Sequence, residues 1–438
     1  MVKLNVKVMS LQKSAWEVKL LPHKKSLIFA LALFVCILPF VCCCIRLNNT
    51  LPNKLAVVKG ANCNIKVGSL VSTHCKNDDM LAWGNSQNSF TKEENGNLAL
   101  YTQDTGTYDI ELKLLGVLPI KKMSVDVIED GYVIPGGEAI GIKIHTEGVI
   151  VVKLSEVEDE SALKHSPAKD AGVKVGDIIT AIDGTKLKNA DHFKVLVDKK
   201  GEGGVDLEIV REGETITRHV NSVKSQSGYK VGAWIRDSTA GIGTLTFIKP
   251  DTNVFASLGH GISDIDTGRL LTVSQGSITE FDVTFVARGQ RGEPGELRGI
   301  FVNNDVGVIK QNSSLGVYGV CNTSEFSPRD AVKIATRFEV KTGKACIVCT
   351  VDEEGPKTYD IEIEKVMTNS SDVRGMVIRV SDERLLEKTG GIVQGMSGSP
   401  ILQDGRLVGA VTHVFVNDPT RGYGIFIENM MDEAQKIK

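Results

Sequence analysis

Short apolar runs separated by turn residues fill residues 226–438 of this 438-residue chain. Apolar and polar side chains alternate in runs such as GIGTLTFI, GSITEFDVTFVARG and GMVIRVSD, which is the period of a β-strand. Helical periodicity is limited to DERLLEKTG and to the terminal ENMMDEAQKIK. The chain is therefore predicted to be mainly β, with one or two packed barrels over this region.

An uncharged segment at residues 26–45, SLIFALALFVCILPFVCCCI, is long enough to cross a bilayer as one helix. The lysines around it lie on its N-terminal side: Lys3, Lys7, Lys13, Lys19, Lys24 and Lys25. This asymmetry predicts a cytoplasmic basic segment at 1–25, a single N-terminal transmembrane helix at 26–45 and an extracytoplasmic remainder. A cleaved signal peptide is the alternative, but its apolar region is usually shorter and no clear small-x-small cleavage site follows.

Two segments lie between this span and the larger domains. Residues 46–60, RLNNTLPNKLAVVKG, are predicted to be a flexible, accessible tether. Residues 61–130 alternate in YDIELKLLG and KKMSVDVIED, which predicts a small β-domain of unassigned role. Cys63 and Cys75 can form a disulfide there if the domain is exported.

The composition argues against several classes of function. A formal net charge of −3 gives no electrostatic basis for binding nucleic acid. The sequence has no HExxH motif, no Walker A loop and no complete dinucleotide-binding loop. Cys346 and Cys349 form a CxxC within a strand-like run, and a structural zinc would need a second pair. No metal, cofactor or nucleic-acid partner is predicted.

Residues 131–225 carry a recognisable order of turns in SPAKDAGVKVGDIITAIDGTKLKN. A short helix runs into Gly172, a Gly-Asp turn precedes an apolar strand, and an Asp-Gly turn follows it. This order resembles the PDZ domains that accompany exported bacterial proteases. The resemblance implies that the loop before the first strand offers backbone N–H groups to a peptide carboxylate while the peptide adds a strand. The residues of that loop are Ala139, Ile140, Gly141 and Ile142.

A serine hydroxyl becomes a useful nucleophile only beside a base, and histidine has a suitable pKa. Of eight histidines, only His260 and His413 lie in the β-rich C-terminal region. His260 stands between glycines in LGHGISDID, where a strand ends, and is the predicted base. His413 lies between apolar residues in GAVTHVFV, which is typical of a strand histidine, and is kept as the alternative.

The stretch GMSGSP places a serine in a turn of glycines and small residues. Ser397 is the predicted nucleophile, and the N–H groups of Gly395 and Ser397 are the predicted oxyanion hole. Ser399, beside Pro400, is the poorer candidate, and an ordinary Gly/Ser turn is the non-catalytic interpretation. The pattern resembles the G-x-S-G-[GS]-P of chymotrypsin-like serine proteases.

The acid that would orient the histidine cannot be chosen from chemistry alone. Four aspartates qualify: Asp237, Asp264, Asp266 and Asp382. The first precedes the histidine, the next two follow it closely, and the last lies shortly before the serine.

Three further stretches follow the PDZ-like region and the apolar span: LGHGISDID, RVSDERLLEKTGGIVQGMSGSPI and GAVTHVFVNDPTRGYGIFIENM. In this order they resemble the stage IV sporulation protein B family of endospore-forming bacteria. The resemblance covers most of residues 130–437. It implies a catalytic triad of His260 as base, Asp382 as orienting acid and Ser397 as nucleophile. It also implies a PDZ domain at 131–225 and a chymotrypsin-like β-barrel serine peptidase domain at 226–438. The short spacing from Asp382 to Ser397 departs from chymotrypsin.

The resemblance further implies a signalling serine endopeptidase of the inner forespore membrane, with its C-terminal part in the intermembrane space. Such a protein cleaves itself near its N-terminus, and self-cleavage can release it. It then cuts a membrane-bound inhibitor of the intramembrane metalloprotease that processes pro-sigma-K. The PDZ domain would hold the protease inactive and later present the target.

Three alternatives remain open. Heat-shock trypsin-like proteases usually place PDZ after the catalytic domain, whereas here it comes before. Carboxyl-terminal processing peptidases use a lysine base, and no lysine here has a glycine-framed setting like that of His260. A membrane-tethered PDZ adaptor would make the GMSGSP stretch only a turn.

Overall fold

The computed structural model describes scattered residues between 31 and 46, then 53–60, 63–66, 71–75, 82–83, 89–92, 97–100, 105–129, 131–326, 328–368 and 373–437. It divides into two compact units, Met1–Thr50 and Leu51–Lys438. In the first unit the described residues are helical. No helix among the described residues is long and apolar enough to cross a membrane. Much of segment 26–45 lies outside the described residues, so the transmembrane helix remains a prediction.

The second unit begins with two small sheets. The first has the strand order β1-β8-β7-β3, and the second has the order β2-β6-β5-β4. Their strands are β1 Lys54–Val58, β2 Cys63–Lys66, β3 Val71–Cys75, β4 Ala82–Trp83, β5 Ser89–Lys92, β6 Asn97–Leu100, β7 Gly106–Leu114 and β8 Leu118–Ile128. The β-rich character expected for 61–130 is present. The side chains of Cys63 and Cys75 lie outside the described residues, so their disulfide stays a prediction.

Strand β1 corrects the expectation of a flexible tether for residues 53–60, whereas residues 47–52 of the predicted tether lie outside the described residues. Its residues pair in parallel with β8, from Lys54 opposite Ser124 to Val58 opposite Ile128. Leu55 and Val57 are buried. The apolar run LAVV is therefore part of the edge strand of a sheet and not of a linker. Its side chains pack into the core of that sheet.

The middle of the chain contains a PDZ domain built around one long ribbon. The elements of this part of the chain are β9 Tyr132–Pro135, β10 Ala139–Leu154, β11 Val157–Glu158, β12 Lys164–His165, α1 Pro167–Asp170, β13 Ile178–Ile182, β14 Thr185–Lys186, α2 Ala190–Lys200, a 3-10 turn at Gly201–Gly203, β15 Val205–Arg211, β16 Glu214–Val220, β17 Val223–Ser225, β18 Gly228–Lys230 and β19 Ala233–Ile248. Strand β9 lies outside the PDZ domain, since it pairs with the far end of β19. The far half of β10 pairs with β13, which pairs with β15. The core includes Val149, Ile179, Phe193 and Leu207.

The near half of β10 leaves the PDZ domain and enters a ring of six strands. The remaining elements here are β20 Val254–Ser257, β21 Gln275–Ala287, β22 Glu296–Ser313, β23 Gly316–Cys321, a 3-10 turn at Thr323–Glu325 and β24 Val332–Lys333. The ring runs β10-β21-β22-β23-β20-β19 and closes because β10 pairs with both β21 and β19. Ile140, Ile144, Leu245 and Phe255 are buried inside it. We call this ring the first barrel.

The first barrel shifts the expected domain boundary. The peptidase region was predicted to begin at residue 226, but β10 contributes Ala139 to His145 from far upstream. Both β10 and β19 run through the first barrel and into the PDZ domain, where Ile150 lies opposite Arg236. The PDZ domain is therefore an insertion carried on the β10–β19 ribbon.

The second barrel is closed and nearly contiguous in sequence, with the strand order β25-β26-β27-β30-β29-β28. Its elements are β25 Gly343–Thr350, β26 Pro356–Val366, β27 Met376–Val380, α3 Glu383–Thr389, β28 Pro400–Gln403, β29 Arg406–Phe415 and β30 Asp418–Phe426, followed by α4 Ile427–Ala434. Cys346 and Cys349 lie in β25, as the strand-like pattern predicted. The mainly β fold with a C-terminal barrel agrees with the sequence prediction.

Candidate active site

The serine turn joins α3 to β28 at the edge of the second barrel. Gly395 and Gly398 adopt positive φ of 99° and 96°, which glycine tolerates and other residues rarely adopt. A Cβ at Gly398 would overlap the Thr244 carbonyl oxygen and the Leu258 backbone nitrogen. The glycine therefore lets the serine turn sit directly on the first barrel.

Strand β19 of the first barrel holds this turn by three hydrogen bonds. The Thr244 N–H donates to the Ser397 carbonyl at 2.8 Å. The Thr244 hydroxyl donates to the Gly395 carbonyl, and the Thr246 hydroxyl to the Gly398 carbonyl, each at 2.8 Å. Both threonines are buried. The backbone of the predicted nucleophile is thus held from the opposite barrel, a role of Thr244 and Thr246 that no sequence motif indicates.

His260 follows β20 through a turn in which Leu258 and Gly259 have positive φ of 67° and 68°. A Cβ at Gly259 would meet Thr412 and Ile425 of the second barrel. The His260 side chain, half-buried, hydrogen-bonds through Nδ1 to the Gly261 carbonyl at 3.0 Å. Because a carbonyl only accepts, Nδ1 carries the proton and Nε2 is left with a lone pair.

Burial holds the pKa of His260 below its usual value, and the hydrogen bond to Gly261 opposes this effect only in part. Burial disfavours the charged imidazolium. The imidazole is therefore neutral at neutral pH, which is the state that a general base needs.

Ser397 lies beside the histidines without forming the catalytic hydrogen bond. Its Oγ donates to the Thr412 carbonyl at 2.7 Å. A hydroxyl has one hydrogen, so this bond excludes donation to His260 at the same time. The pairing of β29 with β30 shifts register between Val411 and His413, and this irregularity contains Thr412. The next residue, His413, brings its ring to 5.0 Å from that of His260.

The predicted oxyanion donors are available. Among the described residues, neither the Gly395 N–H nor the Ser397 N–H donates a hydrogen bond within the protein. The neighbouring Gly398 N–H is occupied by the Val411 carbonyl at 2.7 Å. Two unused donors on a rigid glycine turn suit the stabilisation of a developing oxyanion.

Asp382 is engaged elsewhere. It caps helix α3 by accepting from the Arg384 N–H, and its carboxylate also accepts from the Arg384 guanidinium and the Asp360 N–H. The Arg384 side-chain hydrogen bonds lower the pKa of Asp382 to about 2, against partial burial. In the described part of the chain no hydrogen bond joins Asp382 to His260. Its role as the orienting acid stays a prediction.

The other three aspartates are engaged as well. Asp264, buried, pairs with Arg236 at 2.8 Å, and Asp266 pairs with the same arginine at 3.0 Å. Asp237 accepts from the Ala190 N–H at the start of α2. Ser399, the competing nucleophile, is buried and donates to the Met396 carbonyl. The structure therefore places Ser397 against Thr412, and it places the next residue, His413, which is the alternative base, against His260.

The PDZ loop prediction is wrong for this chain. Residues Ala139, Ile140, Gly141 and Ile142 are buried in β10, with β19 on one edge and β21 on the other. A strand with both edges paired has no free N–H groups for a peptide. The expectation failed because the loop belongs to the first barrel.

The PDZ domain has a groove elsewhere, with a volume of about 800 Å³. It lies between α2 and the start of β19 and is lined by Phe193, Val197, Val231 and Trp234 among others. Trp234 is 62% exposed, whereas Phe193 is buried. The sequence signal that could have located it is YKVGAW, a glycine-containing turn leading into a strand.

The chain has an inserted PDZ domain and two β-barrels, which meet at the turns that carry Ser397 and His260. This arrangement is that of a PDZ-bearing serine peptidase. Comparison with protein families agrees: the model described as SpoIVB peptidase S55 matches residues 227–431, and a PDZ domain model matches residues 158–211. Residues 227–431 therefore carry a serine peptidase domain of the SpoIVB type, which confirms the sequence resemblance. A catalytically inert adaptor is thereby disfavoured.

Individual relatives resemble only part of the chain. "Putative zinc metalloprotease CPE1693" of Clostridium perfringens (strain 13 / Type A) is 34% identical over 73 residues, which are 16% of this chain and 22% of that protein. "Putative zinc metalloprotease LL2128" of Lactococcus lactis subsp. lactis (strain IL1403) is 39% identical over 71 residues, 16% of each. The crystal structure of Rv3671c from M. tuberculosis H37Rv, a Ser-to-Ala mutant in an inactive form, covers 44% of this chain and 82% of its own, with 13% identity and a TM-score of 0.24.

Proposed function

We propose that this chain is a serine endopeptidase in which Ser397 is the nucleophile and His260 the general base. The observation that carries this assignment is the meeting of the two turns. The serine turn of the second barrel is seated on Thr244 and Leu258 of the first, two residues before His260. No other serine and histidine pair among the candidates is placed this way.

In this mechanism Ser397 Oγ leaves the Thr412 carbonyl and donates to His260 Nε2. The oxygen attacks the scissile carbonyl as the imidazole takes its proton, and the oxyanion lies against the N–H groups of Gly395 and Ser397. His260 then protonates the leaving amine, and water hydrolyses the acyl-enzyme through the same base. The hydrogen bond of His260 to the Gly261 carbonyl fixes the required tautomer.

The hydrogen bond from Ser397 to Thr412 describes a resting site. Catalysis requires the Ser397 hydroxyl to leave Thr412 and to donate to His260, with an acid or dipole that supports the imidazolium. Asp382 would serve only after releasing Arg384, because that guanidinium occupies both of its oxygens. A resting peptidase that awaits a signal is consistent with this arrangement.

We propose that the signal belongs to sporulation. The chain would be anchored in the inner forespore membrane by residues 26–45, with its catalytic part in the intermembrane space. It would cleave itself near the N-terminus and then cut a membrane-bound inhibitor of the metalloprotease that processes pro-sigma-K. The SpoIVB family model and the apolar segment support this role.

The buried strand β1 narrows the position of self-cleavage. Proteases bind extended, accessible segments, whereas Leu55 and Val57 are buried and paired with β8. We expect the scissile bond to precede Lys54, within the predicted tether. Cleavage there would leave the second unit intact.

The PDZ groove supplies a route for control. Trp234 at the groove and Thr244 beneath the serine turn lie on the same strand, β19. A peptide that pairs along the start of β19 would act on the strand that positions Ser397. PDZ occupancy is therefore proposed to set the activity of the site.

The deciding experiment compares the full chain with Ser397→Ala and with Ser399→Ala as the matched control. Products are sized by mass spectrometry, and a fluorophosphonate probe labels the reactive serine. We expect N-terminal shortening and labelling in the parent and in Ser399→Ala, and neither in Ser397→Ala. Shortening that persists in Ser397→Ala would overturn the assignment, and labelling without shortening would separate an active site from the self-cleavage proposal.

A further inference from the structure

Two imidazoles from different barrels face each other at the active site. His260 comes from the turn after β20 in the first barrel, and His413 from β29 in the second. Their ring centroids are 5.0 Å apart and their planes are inclined by 42°. His413 is exposed and His260 is half-buried, so the pair is reached from solvent on the side of His413.

This separation matches that of two imidazoles on one zinc ion. Zn–N bonds of about 2.0–2.1 Å at a tetrahedral angle place two ring centroids about 5 Å apart. Inclined planes are compatible with that geometry, because each ring turns freely about its own Zn–N bond. The two rings are therefore close enough together to share a single zinc ion.

The hydrogen bonding of His260 also suits a ligand. Metal-binding histidines usually donate the second ring nitrogen to a carbonyl or carboxylate, which fixes the tautomer. His260 Nδ1 makes that bond to Gly261 at 3.0 Å and leaves Nε2 as the binding atom. Ser397 Oγ does not compete for Nε2, since its hydrogen is directed to Thr412.

We propose that His260 and His413 form an inhibitory site for Zn²⁺. The ion would bind Nε2 of His260 and one ring nitrogen of His413, with water completing the tetrahedron. With two protein ligands the ion would be exchangeable, because structural zinc sites usually have four protein ligands and catalytic sites three. Its effect on catalysis rests on the proposed function, because a metal on Nε2 prevents that atom from accepting the Ser397 proton.

Binding is tested apart from catalysis on the full-length Ser397→Ala protein, titrated with zinc chloride in a calorimeter. We expect one binding event that is lost in His413→Gln and in His413→Phe, the second of which keeps a ring against His260. His165→Gln is the matched control, since His165 is exposed in the PDZ domain beside Asp159. Burial raises the pKa of the Cys321 thiol to about 12, so that thiol is a poor competing ligand.

Inhibition is tested on the protein with Ser397 present. Zinc should block peptide hydrolysis, and His413→Gln should raise the half-inhibitory concentration at least about 10-fold, since even indirect partners of a metal ligand contribute that much to affinity. The proposal is overturned if zinc binding is unchanged in both His413 variants. It is also overturned if the only zinc binding seen is that which the His165→Gln control loses. A protein that binds zinc through His413 but hydrolyses nothing refutes the proposed function and leaves the metal site standing.

Discussion

The two barrels differ in how their chains are arranged. The second barrel is formed by one continuous stretch, closes on itself and carries the serine turn. The first is interrupted between its strands β10 and β19 by the whole PDZ domain, and it carries His260. The difference places the predicted nucleophile on the self-contained half and the predicted base on the half that is continuous with the PDZ domain.

The largest expected effect concerns the closure of the second barrel. Arg337 and Glu428 are fully buried and paired at 2.6 Å, and Arg337 also donates to Asn429 at 2.7 Å. Glu428→Gln removes the buried carboxylate that pairs with the Arg337 guanidinium, and breaking a buried ion pair costs about 3–5 kcal/mol. Urea unfolding should show a matching fall in the free energy of unfolding. A change below about 1 kcal/mol would mean that this barrel does not depend on the pair.

The second effect concerns the contact between the barrels. Gly398→Ala adds a Cβ against Thr244 and Leu258 at a φ of 96°. We expect loss of peptidase activity and a destabilisation of about 1–3 kcal/mol from backbone strain, with the steric overlap in addition. Gly405→Ala is the control, because Gly405 also has positive φ (73°) but nothing within 4 Å of its Cβ position. Equal activity losses in both variants would contradict a specific role for the contact.

The third effect tests the acid of the second barrel by pH. Because the pKa of Asp382 is lowered to about 2, its bonds stabilise the fold fully above the unfolded pKa of about 4. That stabilisation is lost as the pH falls from about 4 through 2. Arg384→Ala should make this fall in stability less steep, but only in part, because Arg384 is largely exposed and its charge is screened by solvent. If stability between pH 4 and pH 2 falls as steeply in Arg384→Ala as in the parent, the pair is not its source.

The smallest stability effect is expected in the PDZ groove. Trp234 is 62% exposed, so Trp234→Ala should change the free energy of unfolding by less than about 0.5 kcal/mol. The rate of self-cleavage should nevertheless change, because the residue lies on the strand that continues to Thr244. Phe415→Ala, at a half-buried position of the second barrel, is the control. Identical cleavage rates in Trp234→Ala and the parent would separate the groove from the site.

Sequence reasoning predicted what is local. The glycines of GMSGSP and LGHGIS predict turns from the sequence alone, and the structure has turns there. The catalytic roles of Ser397 and His260 stay predictions. The alternating runs predicted strands, because side-chain period is a property of a segment alone.

Pairing was not predictable in the same way. The AIGIKI run has the period of a strand, and in a PDZ domain one edge of that strand would be unpaired. In this chain β21, which lies far downstream in the sequence, pairs with that edge. LAVV in β1 needed β8 before it could be recognised as a strand. The approach of His413 to His260 likewise depends on contact between the two barrels. The carboxylate of Asp382 accepts hydrogen bonds from Arg384, two residues further along the chain.

The shared ribbon of β10 and β19 has a consequence for the order of folding. During synthesis, β10 emerges long before its partner, and a chain segment as long as the PDZ domain must be made before the two can pair. A disordered segment of that length would add to the entropy of closing the loop. A PDZ domain that has already folded, with Ile150 beside Arg236, brings the two ends together in advance. The folded PDZ domain would then hold β10 and β19 in register for the first barrel. The peptidase domain would complete its folding only after the PDZ domain had folded.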